Sequence, residues 1–173
     1  MSIKIGQNAP EFTMQGVVGD KFKDVCLDEF KGKWVVLFFY PLDFTFICPT
    51  EITEFSKRDS EFKALNAQVL GVSIDSVFSH KAWLKELGNL NYPLLSDITK
   101  EASRKYGVLL EEKGIALRGT FIIDPDGKLR YQLIHDLGIG RSIEEILRVL
   151  RALQTGELCP VEWKPGKKTL GKA

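Results

Sequence analysis

The sequence predicts an α/β domain, a mixed central sheet flanked by helices, with an N-terminal extension and an irregular C-terminal arm. Three observations predict it. The run Trp34-Val35-Val36-Leu37-Phe38-Phe39-Tyr40 is too short and too aromatic for a free-standing helix and reads as a buried strand. Segments of helical period then alternate with further apolar runs, the pattern of parallel strands joined by helical crossovers. Late in the chain, Asp124-Pro125-Asp126-Gly127 separates two β-rich runs and signals a hairpin.

Each element follows in order. After the strand at residues 35–40, residues 51–66 read as one helix whose apolar face is Ile52, Phe55, Phe62 and Leu65. Residues 69–74 read as a second strand. Ser79 is the expected N-cap of a helix running to Leu87, with Gly88 ending it. Leu94-Leu95-Ser96 is a short apolar piece, and residues 100–106 a helical one. Residues 119–123 and 129–134 are the hairpin strands, expected to join the same sheet antiparallel. Ser142 with Glu145 forms a capping box for a helix through Gln154, and Ile143, Ile146, Leu147, Leu150 and Leu153 make its stripe. This order is the thioredoxin-like arrangement, preceded by about thirty extra residues. Residues 1–155 are expected to form the domain and residues 156–173 the arm.

Composition bounds the function. At 173 residues the chain can bury a sizeable core, and its 44% apolar and 27% charged content is ordinary for a globular protein. A formal charge of +1 gives no field that would favour nucleic acid or an anionic membrane. Lys164, Lys167, Lys168 and Lys172 make a basic tail that reads as a solvated end. No run approaches the roughly 20 apolar residues of a membrane span. The opening residues Met1-Ser2-Ile3-Lys4-Ile5-Gly6 lack the apolar centre of a signal peptide, so a cytoplasmic location is expected. Three cysteines in a reducing compartment argue for a transient, catalytic disulfide rather than a structural one.

The chemistry points to Cys48. The stretch Pro41-Leu42-Asp43-Phe44-Thr45-Phe46-Ile47-Cys48-Pro49 carries a cysteine from a strand end to a helix start, where unpaired N–H groups and the helix dipole favour a thiolate. Thr45 offers a hydroxyl on the same turn. Pro41 rigidifies the loop and shields the sulfur, and Pro49 suits the first helical position. The residue three after Cys48 is Glu51, so the Cys-x-x-Cys pair of thiol–disulfide exchange is missing.

These residues resemble the signature of the peroxiredoxins, in the branch holding the peroxidase component of bacterial alkyl hydroperoxide reductase and the typical two-cysteine enzymes. The resemblance covers Phe38-Phe39-Tyr40-Pro41, Thr45, Cys48-Pro49-Thr50-Glu51, Val72-Ser73-Ile74-Asp75-Ser76 and His80-Lys81-Ala82-Trp83. It continues through Pro93-Leu94-Leu95-Ser96-Asp97, Arg118-Gly119-Thr120-Phe121-Ile122-Ile123-Asp124, Gly140-Arg141-Ser142 and Cys159-Pro160. It implies that Cys48 is the peroxidatic cysteine, attacking the terminal peroxide oxygen and becoming a sulfenic acid. It implies that Arg118 holds sulfur and peroxide, that Thr45 hydrogen-bonds the peroxide and that Pro41 covers the pocket. Glu51 and Arg141 match a polar shell orienting Arg118, or else form a surface salt bridge. Trp83 packs near the site or is a core aromatic. His80 and His135 read as structural or surface residues, and Cys26 as a buried packing residue.

By the same resemblance Cys159 is the resolving cysteine, forming a disulfide with Cys48 of a partner subunit; spacing alone does not tell partner from self. The helix start at Cys48 must then unfold locally. Homodimers, and rings of five of them, are implied, with peroxides as substrates, no cofactor or metal, and thioredoxin or a flavoprotein reductase as electron donor. Relatives easily inactivated by peroxide carry a Gly-Gly-Leu-Gly insertion and a C-terminal Tyr-Phe. Here the corresponding stretch is Leu87-Gly88-Asn89-Leu90-Asn91-Tyr92 and the sequence stops at Ala173, so a robust enzyme is expected. A thioredoxin-type oxidoreductase and a holdase chaperone are the competing readings.

Overall fold

The computed structural model of the chain describes residues 3–172. It divides into two compact units, Met1–Arg141 and Ser142–Ala173. Met1, Ser2 and Ala173, which open and close the expected divisions, lie outside the described residues.

The first unit begins with β1 (Thr13–Val18) and β2 (Lys21–Cys26), a short 3-10 turn (Leu27–Phe30) and β3 (Trp34–Phe39). It continues with α1 (Cys48–Lys57), α2 (Asp59–Ala64), β4 (Ala67–Ser73) and α3 (Val77–Leu87). Next come β5 (Leu94–Ser96), α4 (Glu101–Lys105) and a two-stranded ribbon of β6 (Leu109–Leu110) and β7 (Ile115–Ala116). The hairpin of β8 (Arg118–Ile123) and β9 (Leu129–His135) closes the sheet. Seven strands lie in the order β2-β1-β5-β4-β3-β8-β9. As the element order predicts, β3, β4 and β5 run parallel while β8 and β9 add antiparallel strands beside β3.

Alternation along β3 builds two cores. Val35, Leu37 and Phe39 point to one face, where Phe39 meets Tyr106 and Phe121 beside α4. Phe38 points to the other, stacked on Phe55 of α1 with ring centroids 4.3 Å apart. Gly71 of β4 makes that stacking possible: a Cβ there would come within 2.8 Å of the Phe38 ring. The loop after α3 is pinned to α1 by Asn91, which donates to the hydroxyl and carbonyl of Ser56, and by the Tyr92 hydroxyl on the Ile52 carbonyl.

Three expectations change. The helix over 51–66 begins earlier, at Cys48, and is two helices. At Arg58 the backbone leaves helical values (φ −97°, ψ 11°) while its carbonyl already accepts from Glu61 and Phe62, starting α2. Ser76, not Ser79, caps α3, and its hydroxyl accepts from the Ser79 N–H at 3.2 Å. The N-terminal extension contains the β1–β2 hairpin, turning at Gly19-Asp20. The last helix, α5 (Ile143–Thr155), lies in the second compact unit together with the arm.

That grouping has a physical basis within the second unit. Ser142 caps α5 by accepting from the Glu145 N–H, while the Glu145 carboxylate pairs with Arg148 instead of closing a capping box. Gly156, left-handed at φ 64°, turns the chain out of the helix. The arm then folds against that helix: Arg148 donates to the carbonyl of buried Trp163, and the Trp163 indole N–H to the Lys167 carbonyl. No helix among the described residues is long and apolar enough to cross a membrane.

Candidate active site

The end of β3 releases the chain into the loop of residues 41–47, which returns as α1 with Cys48 its first residue. Pro49 follows, where the missing N–H costs nothing. Cys48 is 0% exposed. Its sulfur faces Arg118, the first residue of β8, whose Nη1 lies 3.4 Å away. The same Nη1 donates to Glu51 Oε2 at 2.8 Å, one turn along α1 from the cysteine. Nε of Arg118 donates to the Leu137 carbonyl at 2.8 Å, so the guanidinium is fixed from two sides.

Glu51 joins two arginines. Its Oε1 accepts from the Arg141 backbone N–H at 2.9 Å. Arg141 Nε lies 3.2 Å from the same oxygen, yet finds no aligned acceptor, so that contact is Coulombic. The Arg141 guanidinium donates to the carbonyls of Phe39 and Gly119 and sits 5.1 Å from the Phe38 ring centroid. Burial pulls its pKa down to about 10, which leaves it charged at neutral pH, while Glu51 pushes the other way. Two guanidinium charges thus face one carboxylate in a water-poor cluster. The positive charge left over stands beside the sulfur and attracts a negatively polarised oxygen placed there.

The structure therefore brings Cys48, Glu51, Arg118 and Arg141 together as one buried cluster, and the surface-salt-bridge alternative for Glu51 and Arg141 falls. Pro41 is buried at the end of β3. Thr45, partly exposed, donates its hydroxyl to the Leu42 carbonyl at 3.0 Å, leaving its oxygen's lone pairs turned outward from that bond. Trp83 is a core aromatic, packed between the rings of Tyr40 and Phe44. Cys159 lies in the second unit just beyond α5, partly exposed, its Sγ 3.6 Å from Thr155 Oγ1. Cys26 is partly exposed rather than buried, because it ends edge strand β2; its Sγ lies 3.1 Å from Thr13 Oγ1. All three cysteines are free thiols. Among the described residues no group of three or more His, Cys, Asp or Glu could hold a metal ion.

Sequence reasoning missed two contributors. The Leu137 carbonyl that seats Arg118 is a backbone atom with no side-chain signature. The close approach of residue 140 to α1 had one visible sign, a glycine whose Cβ would touch Ile47 at 3.4 Å.

The AhpC/TSA family profile matches residues 5–132. The chain is 55% identical to the chloroplastic 2-Cys peroxiredoxin BAS1 of Spinacia oleracea, over 96% of this chain and 67% of that one. It is 52% identical to the mitochondrial thioredoxin-dependent peroxide reductase of Homo sapiens, over 96% of this chain and 69% of that one. Among solved structures, the reduced 2-Cys peroxiredoxin of Plasmodium vivax superposes with a TM-score of 0.93 at 42% identity, covering 95% of this chain and 91% of that one. AhpC of Mycobacterium bovis gives 0.86 at 42% identity, covering 95% and 99%. A mixed thioredoxin-like sheet, a cysteine at a helix start and this likeness over nearly the whole length define a thiol peroxidase. The chain belongs to the AhpC/TSA family and is a peroxiredoxin.

Proposed function

We propose that Cys48 reduces hydrogen peroxide and organic hydroperoxides and that Cys159 of a partner subunit completes the turnover. The observation that carries this reading is the single guanidinium nitrogen of Arg118 shared between the Cys48 sulfur, at 3.4 Å, and Glu51, at 2.8 Å. The Cys48 thiolate attacks the terminal oxygen of ROOH. The O–O bond breaks, ROH leaves with one added proton, and the sulfur, oxidised by two electrons, becomes a sulfenic acid. Arg118 directs N–H donors at the oxygens as charge moves onto the leaving one, and Glu51 with Arg141 holds Arg118 in that pose. Thr45 hydrogen-bonds the peroxide, and Pro41 covers the sulfur. The Cys159 thiol then displaces hydroxide from the sulfenic sulfur, giving a disulfide and water. A dithiol donor of the thioredoxin type returns both cysteines to thiols, a choice supported by the name of the human relative.

Self-association is supported by the exposed aromatic side chains of Phe44, Phe46 and Phe78 in the first unit. A homodimer, assembling further into a decamer, is the proposed state. Non-reducing electrophoresis after one equivalent of peroxide tests the cycle. A dimer band that needs both Cys48 and Cys159 is expected; a band surviving Cys159→Ser, or none in the unaltered protein, overturns it. Without a Gly-Gly-Leu-Gly element at residues 87–92, Cys48 is expected to resist conversion to sulfinic acid under modest peroxide excess, which intact-mass measurement reads directly.

A further inference from the structure

Behind the Cys48 loop the first unit buries a second set of charges. The side chains of Asp43 and His80 are 1% and 0% exposed, and His80 Nδ1 lies 2.8 Å from Asp43 Oδ2. The other ring nitrogen, Nε2, faces the Leu95 carbonyl at 3.1 Å. A carbonyl only accepts, so Nε2 is the donor in that contact. Asp43 takes two more donors, the Tyr40 hydroxyl on Oδ1 and the Ser79 hydroxyl on Oδ2, each at 2.8 Å. Its own N–H donates to Asp75 Oδ2 at 2.9 Å, and Asp75 also accepts from the Ser73 hydroxyl at 2.7 Å. Groups from α3 and from the residues just past β3 and β4 thus converge on one aspartate, while β4 holds Asp75 through Ser73 and β5 holds His80 through Leu95.

A buried polar contact of this kind adds little stability over a well-packed apolar pair, so its value here is positional. What Asp43 fixes is the turn between β3 and α1. Its neighbour Phe44 has φ +54°, a left-handed conformation that bulky residues avoid, and the Phe44 ring rests 5.6 Å from Trp83. The Leu42 carbonyl, on Asp43's other side, receives the Thr45 hydroxyl. Phe46, immediately beyond, is 95% exposed.

We propose that the Asp43–His80 pair is a clamp that positions the turn of residues 41–45 for peroxide reduction and marks the fixed end of the segment that moves when Cys48 leaves its helix. His80 is in this sense a positioning residue: it acts through Asp43 on the turn carrying Pro41 and Thr45. The inference rests on Cys48 being the attacking atom.

The test follows Cys48 in the full-length protein by two reactions. Sulfenic acid formation, trapped with dimedone and read by mass spectrometry, requires the peroxide contacts. Alkylation by iodoacetamide requires the thiolate and its exposure but not those contacts. In His80→Leu, peroxide oxidation is expected to slow by about tenfold to a hundredfold, the scale of a mispositioned reacting group, while alkylation is unchanged or faster. His80→Asn, whose amide can donate to Asp43, recovers part of the oxidation rate. Asp43→Asn, nearly isosteric, repeats the His80→Leu pattern without emptying a buried site. Equal slowing of both reactions, or no slowing of oxidation in either variant, overturns the clamp and leaves the role of Cys48 standing. Absence of Cys48 oxidation in the unaltered protein overturns both.

Discussion

Arg118 and Glu51 meet through one nitrogen–oxygen contact of 2.8 Å, and that nitrogen is also the one facing the Cys48 sulfur. Carboxylate and sulfur therefore share one NH2 group, each facing one of its two N–H bonds. Reactivity and structural support are coupled at a single atom, and substitutions around it should separate the two.

Arg118→Lys keeps a charge but loses the planar fork that reaches Leu137, Glu51 and Cys48 together. Losing charge-assisted hydrogen bonds of about 1.5–3 kcal/mol predicts a peroxide rate constant lower by roughly 10- to 150-fold. Arg118→Met should fall at least as far. Stopped-flow measurement of Cys48 oxidation decides it, and a Lys variant within threefold of the unaltered protein would show that charge alone suffices.

Glu51→Gln leaves two buried guanidinium groups without their shared anion. Removing one partner of a buried charge cluster costs about 3–5 kcal/mol, far more than a surface pair would. Urea denaturation should show a loss of unfolding free energy of that size, read as a lower midpoint with an unchanged slope. A loss below about 1 kcal/mol would mean that water reaches the cluster.

Gly71→Ala pushes a methyl group to 2.8 Å from the Phe38 ring and 2.9 Å from Leu94. Overpacking of this kind costs about 1–3 kcal/mol. Because the Arg141 guanidinium rests on the opposite end of the same contact chain, over the Phe38 ring, peroxide activity should drop along with stability. Neighbouring Val72→Ala, in the other core, should lower stability alone.

Alkaline pH should unfold the protein through its tyrosines. Burial raises the pKa of Tyr40, Tyr92 and Tyr106 above the usual value near 10. The unfolded chain loses these protons first, so the stability they confer is complete below pH 10 and is lost as pH rises beyond it. The slope is about 1.4 kcal/mol per pH unit for each tyrosine. Arg141, whose pKa is pulled down to about 10, opposes this with one proton. Of the four tyrosines in the chain, three should ionise only with unfolding when absorbance at 295 nm is followed against pH.

Legibility in the sequence tracked how local each signal was. The buried strand at β3, the hairpin turn at Asp124-Pro125-Asp126-Gly127 and the stripe of α5 are patterns within a few residues, and they appear where expected. The break at Arg58 was hidden because Phe55 and Phe62, two helical turns apart, continue one apolar stripe across it. The β1–β2 hairpin was hidden by its mostly exposed outer strand, which lacks an apolar alternation. In the site, Cys48, Glu51, Arg118 and Arg141 were named from motifs. The Leu137 carbonyl and the Asp43–His80 contact join residues that no local pattern pairs, the latter spanning 37 positions.

The distances along the chain within the Cys48 cluster carry a consequence for biosynthesis. Arg118 stands 70 positions after Cys48, and the Arg141 N–H that holds Glu51 stands 90 positions after its acceptor. At ribosomal speeds of about 5–20 residues per second, a nascent chain carries Cys48 for roughly 5–20 s before its last partner exists. During that interval, and in any product truncated before residue 118, the sulfur lacks its arginine contact. Under the proposed role of Cys48, peroxide sensitivity is then withheld from unfinished chains and conferred when β8 and the segment behind it have docked, which would make the thiol's reactivity a certificate of completed folding.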